Sequence, residues 1–416
     1  MRKVLIVGRG GREHALAWKF AQSTKVYVAP GSSGMKDVAF TVPIDENDFD
    51  ALIAFAKKEH IDLVVVGPEA PLVNGIVDSL KKAGLAVWGP SADAAIIEGS
   101  KSFAKDLMKK YSIPTAAYEI FTDYEAACRY IKSTSMPVVI KVDGLAAGKG
   151  VVIAHSQAEA LETLHEMMIK GGFGEANRRV VIEEFMAGEE FSFMALVAGE
   201  KVYPMEIAQD HKRAYDNDLG PNTGGMGAYS PVPQISDDIV KRALDEIMIP
   251  IARVMVQEKR PFFGFLFGGL IAASSGPKVI EFNARFGDPE AEVLLPRLES
   301  DLFEVIMKLL NGEAAPDLKW SGDAVVGVVL ASKGYPGPYK VGAPIHGLDK
   351  LKDDTMIFHC GTDNGTTAGG RVLLAARKAR DIAAAQAAVY EEIKKIRCDN
   401  LLYRTDIGNR GITCKS

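Results

Sequence analysis

Val4-Leu5-Ile6-Val7-Gly8-Arg9-Gly10-Gly11-Arg12-Glu13-His14 is an apolar run that stops at a cluster of glycines and passes into a helix-length amphipathic stretch at 12–22. That order of residues dictates a strand, a tight turn and a helix. The alternation continues, with apolar runs at 26–29, 63–66 and 86–88 separated by helical patterns at 49–59 and 72–82. Strands that recur across helix-length spacers imply βαβ units, so residues 1–100 read as an α/β domain with a doubly wound parallel sheet.

Past the turn Gly89-Pro90-Ser91 and a helix at 100–110 the pattern changes. Apolar runs at 138–142, 150–154, 180–184 and 191–197 surround one helix at 157–168, and glycines punctuate strands instead of opening helices. This is the signature of an α+β region. The segment 210–233 is polar and rich in Gly, Asn and Pro, and reads as a loop of roughly two dozen residues, a length usually tied to function. A helix at 237–258 and strands at 264–273 and 278–282 follow. From 324 onward come strands at 325–331, 356–360 and 371–375, then a helix carrying Ile382, Ala385, Val389, Ile393 and Ile396 on one face. The expected organisation is three lobes, 1–100, 101–323 and 324–416, the last a small α+β domain.

A chain of 416 residues carries a prior of roughly two to three domains. Hydrophobic residues at 47% and charged residues at 25% exclude disordered, collagen-like and disulfide-scaffold classes. With 49 basic against 54 acidic residues the net charge of −5 offers no global field for nucleic acid or an anionic membrane, so neither is expected as a partner. An anionic substrate must therefore be held by local groups. Cys128, Cys360, Cys398 and Cys414 form no C-x-x-C pair, which disfavours zinc and redox motifs and suits a reducing setting. The longest apolar stretch, 262–273, is interrupted by Gly264, Gly268 and Gly269 and falls short of the ~20 residues of a membrane span. A soluble, cytoplasmic protein is the expectation.

Five glycine-bearing or charged clusters carry candidate chemistry. Backbone amides of Gly10, Gly11, Arg12 and Glu13 open a helix after a strand, the arrangement of an anion site. A dinucleotide fingerprint would need glycine at Glu13 and an acid where Pro30-Gly31 stands, which weighs against a nicotinamide-dependent dehydrogenase. The plain reading is a tight turn. Pro68 and Glu69 face the same sheet edge, where Glu69 is placed either for a sugar hydroxyl or to complement a helix start. The stretch Lys141-Val142-Asp143-Gly144-Leu145-Ala146-Ala147-Gly148-Lys149-Gly150 puts a strand lysine before a glycine-rich loop that runs into another strand, which excludes a Walker loop. Separately these features suit an ordinary hairpin with an exposed lysine; together they suit phosphate binding. Glu183-Glu184-Phe185-Met186 ends an apolar strand and offers backbone groups to a base, with Glu190 following. In Glu281-Phe282-Asn283 the spacing of two places both oxygen-bearing side chains on one strand face, a ligand pair for magnesium or manganese beside phosphates. Arg285 points the same way, and a salt-bridge cluster is the bland alternative.

Arg285-Phe286-Gly287-Asp288-Pro289-Glu290-Ala291-Glu292 resembles, without a break, the signature of the glycinamide ribonucleotide synthetase family of the ATP-grasp superfamily. The resemblance extends over Gly8 to His14, Gly67 to Pro71, Glu98-Gly99-Ser100-Lys101, Lys141 to Val151, Gln209-Asp210-His211-Lys212-Arg213, Gly220 to Gly227, Gly334-Tyr335-Pro336, Gly369 to Val372 and Arg404 to Gly408. It implies a central ATP-grasp domain of two α+β subdomains with ATP between them. Lys105, Lys141, Gly148, Lys149 and Gly150 would then meet the phosphates, Glu183 to Met186 the adenine, Glu190 the ribose, and Glu281 and Asn283 the metal. Substrate contacts are implied for Gly10 to Glu13, Pro68, Glu69, Asp210, Lys212, Arg213, Thr223, Gly224, Gly225 and Met226, and catalytic roles for Arg285 and Asp288. One departure from the wider superfamily is Gly269, where many members carry another metal-binding Glu.

The implied reaction joins glycine to 5-phosphoribosylamine at the expense of ATP, through glycyl phosphate, in a monomeric enzyme. Positioning and charge neutralisation do this chemistry, so no nucleophilic triad is expected. Residues 144–150 and 210–227 are lid candidates, because an acyl phosphate must be kept from water. The alternatives are another ATP-grasp carboxylate–amine ligase or purine-precursor carboxylase, and an inactive nucleotide-binding module.

Overall fold

The computed structural model describes residues 1–145, 150–170 and 179–413. Its first layer is a parallel sheet of five strands in the order Phe40–Thr41, Lys25–Pro30, Lys3–Gly8, Leu63–Val66, Val87–Trp88. The chain winds outward in one direction after Lys3–Gly8 and in the other from Leu63–Val66, so the order reverses between these two strands. Ligands gather at such a switch point, outside the carboxyl ends of the strands. Gly8, Gly67 and the helix Gly11–Phe20 stand there.

The expected helix at 72–82 is two, Glu69–Val73 and Ile76–Lys82, because Gly75 takes φ +88° between them. A left-handed residue cannot continue a right-handed helix. The expected helix at 237–258 likewise has a π-helical turn, Leu244–Met248, just before Pro250, which cannot supply an N–H to the usual ladder. The helices Ala92–Gly99 and Tyr124–Ser133 and the strand Tyr118–Phe121 were not anticipated.

Two antiparallel four-stranded sheets make up the middle of the chain. One runs Tyr118–Phe121, Val180–Glu184, Val138–Val142, Val151–Ala154, is packed by Tyr124–Ser133 and Gln157–Met168, and has its own small core around Ile140, Leu164 and Ile182. The other runs Lys201–Pro204, Glu189–Ala198, Phe263–Ala273, Gly276–Asn283. A bulge opposite Gly269 and Leu270 leaves Ile280 outside the regular register, and a bulged residue has backbone groups free for other partners.

The segment 210–233, read as a loop, is half strand. Gln209–Asp210 and Gly227–Ser230 join the sheet of Ala324–Ser332, Arg371–Ala379 and Met356–His359, and Arg213–Tyr215 pairs with Leu219–Asn222 as a hairpin. At Gly227, φ is +150° and an added Cβ would lie 2.6 Å from the Gly327 carbonyl oxygen of the neighbouring strand. Gly227→Ala is therefore expected to destabilise the fold by about 2–4 kcal/mol. Denaturant unfolding checks this, and an unchanged midpoint would refute the close approach.

Candidate active site

A cavity of about 740 Å³ opens between the parallel sheet, both antiparallel sheets and the C-terminal sheet. Its floor is ionic. Lys105, on the helix Lys101–Lys110, lies 2.8 Å from Glu183 Oε2, and Lys141 lies 3.0 Å from Glu183 Oε1; all three side chains are about 3% exposed. The register Val139↔Glu183 makes Lys141 a diagonal neighbour of Glu183 on the same sheet face. Lys105 also donates to Thr115 Oγ1 at 2.7 Å, and Lys141 to the carbonyl of the bulged Ile280 at 3.0 Å. Sequence reading set Glu183 to Met186 along the adenine; all four line the cavity, and the Glu183 carboxylate is the counter-ion of both lysines.

Two ammonium groups share one carboxylate here, and burial, outweighing Glu183, brings Lys105 down to about 8. The charged form is thus lost as pH rises through that value. In kcat/KM for ATP, which reports the free enzyme, an alkaline limb near pH 8 is expected. Lys105→Arg should move it upward, since guanidinium stays charged. A limb that stays in place in that variant would belong to another group.

Lys101, absent from the sequence-based set, also lines the cavity and donates to the Gly144 carbonyl at 2.7 Å. Asp143 accepts from Ser102 N at 3.0 Å and from Ser102 Oγ at 2.6 Å, tying the strand end to the same helix. Gly148 and Lys149 lie outside the described residues, as does most of the 144–150 lid candidate. Gly150 lines the cavity.

Above the lysines, Glu281 and Asn283 face the cavity from one strand. Burial works against the Glu281 carboxylate, but Lys212, Lys141, Lys101 and Arg285 more than offset it and hold it below the usual range. A carboxylate and an amide oxygen two residues apart fit a hard divalent cation that takes its remaining ligands from phosphates and water. Among the described residues no group of three or more His, Cys, Asp or Glu could hold a metal by itself. Gly269 stands opposite Glu281 in the register, its Cα side against the Glu281 stem.

Arg285 reaches Glu98 at 3.1 Å and Glu69 at 3.5 Å, and Glu98 Oε2 accepts Ala284 N at 2.7 Å. Glu98 was missed as a site residue, although Glu98-Gly99-Ser100-Lys101 was a recognisable motif. Asp288 is held by Arg371 at 2.9 Å, and Arg371 also donates to the Gly224 carbonyl at 2.7 Å. Tyr335 accepts Gly224 N at 2.9 Å. Arg371, on the C-terminal sheet, and Tyr335, in the turn after its strand Ala324–Ser332, line the cavity, two residues that periodicity could not bring there.

Asp210, Lys212, Arg213, Thr223, Gly224, Pro68, Glu69, Arg12 and Glu190 all line the cavity. Lys212 pairs with Glu190 at 3.3 Å. Burial raises Asp210 well above the carboxylate range, helped by nearby Glu290. The expected anion site at Gly10 to Glu13 takes a different form. Gly10 N donates at 2.6 Å to Glu13 Oε2, whose other oxygen accepts from Arg12 Nε at 2.6 Å, so the chain's own carboxylate caps the helix start. Gly10, Gly11 and Glu13 do not line the cavity; Arg12 alone of the four does. Gly225 is packed against Pro289 and Asp210, and Met226 is fully buried in the core, so neither lines it.

Three family models match in chain order: the phosphoribosylglycinamide synthetase N domain over residues 2–98, its ATP-grasp (A) domain over 99–291 and its C domain over 325–410. A phosphoribosylamine–glycine ligase of Halalkalibacterium halodurans is 58% identical, covering 98% of this chain and 97% of that protein. One of Escherichia coli O157:H7 is 47% identical, covering 99% of each. The crystal structure of the Thermotoga maritima phosphoribosylamine–glycine ligase superposes with a TM-score of 0.83 at 34% identity, covering 97% of this chain and all of that one. The chain belongs to the phosphoribosylglycinamide synthetase family.

Proposed function

We propose the following division of labour for the ligation that this enzyme carries out, in which ATP, glycine and 5-phosphoribosylamine give glycinamide ribonucleotide, ADP and phosphate in purine biosynthesis. Lys105 and Lys141 hold the nucleotide phosphates, drawn from two elements onto one buried carboxylate; that convergence carries the reading. Glu184, Phe185 and Met186 run along the base, and Glu190 takes the ribose hydroxyls. Glu281 and Asn283 hold magnesium or manganese, which supplies charge neutralisation at the phosphates.

The glycine carboxylate attacks the γ-phosphorus, its bond to the ADP oxygen breaks, and glycyl phosphate forms. Arg285, locked by Glu69 and Glu98, aims a fixed positive charge at the transferring group. Asp288, held by Arg371, accepts a hydrogen bond from the phosphoribosylamine nitrogen and orients its lone pair. That nitrogen bonds the acyl carbon as the C–O bond to phosphate breaks, and the departing phosphate takes the proton. Substrate contacts fall to Arg12, Pro68, Glu69, Asp210, Lys212, Arg213, Thr223 and Gly224.

The reading comprises three lobes, 1–100, 101–323 and 324–416, in a monomeric cytoplasmic enzyme without nucleic-acid or membrane partners. Among the described residues no helix is long and apolar enough to cross a membrane. The test is ADP release that requires both glycine and freshly generated phosphoribosylamine, with mass determination by light scattering. ADP release supported by bicarbonate in place of glycine would point to a carboxylase, and ATP binding without any release to an inactive module.

A further inference from the structure

Glu292 ends the signature stretch and has no place in the mechanism above, yet it is the least compensated charge-bearing group at its edge. It is 0% exposed, and neither carboxyl oxygen has a hydrogen-bond partner among the described residues. The backbone bonds Ala291 N to Gly287 O and Leu294 N to Glu290 O wind residues 287–294 helically. Asp288 and Glu292 are therefore i and i+4 on one face, where side chains meet.

The neighbouring chain brings them to the same spot. An added Cβ on Gly10 would stand 3.6 Å from Asp288 Oδ2, and one on Gly11 would collide with Glu292 Oε1 and with Cys360 Sγ. The groups facing Glu292 are Asp288 and Glu290 on its own turn, Cys360, and Arg371, whose guanidinium is already bonded to Asp288. The Cys360 thiol is directed to the Phe358 carbonyl at 3.7 Å. Arg12, which also faces Asp288, is bonded to Glu13, so among the described residues neither arginine bonds the Glu292 carboxylate, and a buried charge without a partner is far more costly than a protonated acid. Burial, with Asp288 adding to it, raises Glu292 well above the carboxylate range.

We propose that Glu292 stands as a neutral carboxylic acid that donates its proton to Asp288, a positioning residue that fixes the Asp288–Arg371 pair at the cavity wall. It touches no substrate and acts only through Asp288. The inference rests on the ligase reading for its kinetic consequence, but the protonation state is measurable without turnover.

Infrared spectra of the full-length protein supply the first test. Relative to Glu292→Gln, the wild type should carry an additional C=O stretch of a protonated carboxylic acid, shifted in D₂O; identical spectra in that region would overturn the proposal. Kinetics supply the second. Glu292→Leu keeps the bulk but removes the donor, and should lower kcat on the order of tenfold to a hundredfold with KM for ATP unchanged. Glu292→Gln retains an N–H donor and should recover kcat to within about threefold of wild type. If Glu292→Gln is as impaired as a residue that must be charged would predict, the neutral-donor role is wrong. A wild type that shows the band but forms no glycinamide product would refute the ligase reading and leave the protonation intact. Should Glu292→Leu fail to fold, the infrared band and the Glu292→Gln rate still decide.

Discussion

Glu183→Gln is expected to destabilise the ligand-free protein by about 3–5 kcal/mol, because it leaves two buried ammonium groups without their shared counter-ion. Lys105 and Lys141 are each about 3% exposed and have no second carboxylate within ion-pairing distance among the described residues. ATP with magnesium should restore most of the loss, since its phosphates supply the missing negative charge, and binding to the native state alone adds stability by mass action. The check is the melting temperature of wild type and variant with and without nucleotide. If the variant melts like the wild type in both conditions, Glu183 is not the counter-ion. If nucleotide stabilises the variant no more than the wild type, the lysines do not meet phosphate.

Arg285→Ala should lower kcat by about 10²–10³-fold while KM for ATP changes less than about threefold, the pattern of an interaction made in the transition state. The guanidinium is preorganised by Glu98 and Glu69 and lies away from the Lys105–Glu183–Lys141 floor. Arg285→Lys should recover little, because one ammonium cannot satisfy two carboxylates and a phosphoryl group in the geometry of a planar fork. Unfolding measured in parallel separates the chemistry from the cost of unpairing Glu98 and Glu69. Near wild-type turnover in Arg285→Ala would remove the residue from the mechanism, and a large rise in KM for ATP would move it to the nucleotide phosphates.

Much of the fold was legible. The run Val4 to Val7 followed by Gly8 to Glu13 specified a strand, a turn and a helix because a continuous apolar run gives way at the glycines to a helical period. The strands of the α+β regions were equally plain from β-branched runs such as Val138 to Val142 and Val325 to Val329. The error at 210–233 has a physical cause. Gly227-Ala228-Tyr229-Ser230 contains little apolar periodicity of its own, and becomes a strand because Ala324–Ser332, far along the chain, offers it a ladder. Tertiary pairing overrode local composition there.

The site divided along the same line. Glu281 and Asn283 share a strand, so their common direction followed from a spacing of two. Glu183 sits equally plainly on a strand, but its partners are a helix residue and a residue two positions along a neighbouring strand. Nothing local distinguishes it from Glu184, which is exposed. Glu13 resembled part of an anion site until the helix start proved to be capped by its own carboxylate.

The sequence by itself determined the principal strands and helices, the family resemblance, and the residue types that a phosphoryl-transfer ligase needs. These are one-dimensional properties, set by periodicity and by motifs of adjacent residues. Only the tertiary structure decided which charges neutralise which: Glu183 beneath two lysines, Arg285 between Glu69 and Glu98, Arg371 from the last sheet on Asp288, and Glu292 with no bonded cation among the described residues. Burial and distance govern those pairings, and both arise from strand register and domain packing between segments that the sequence keeps far apart.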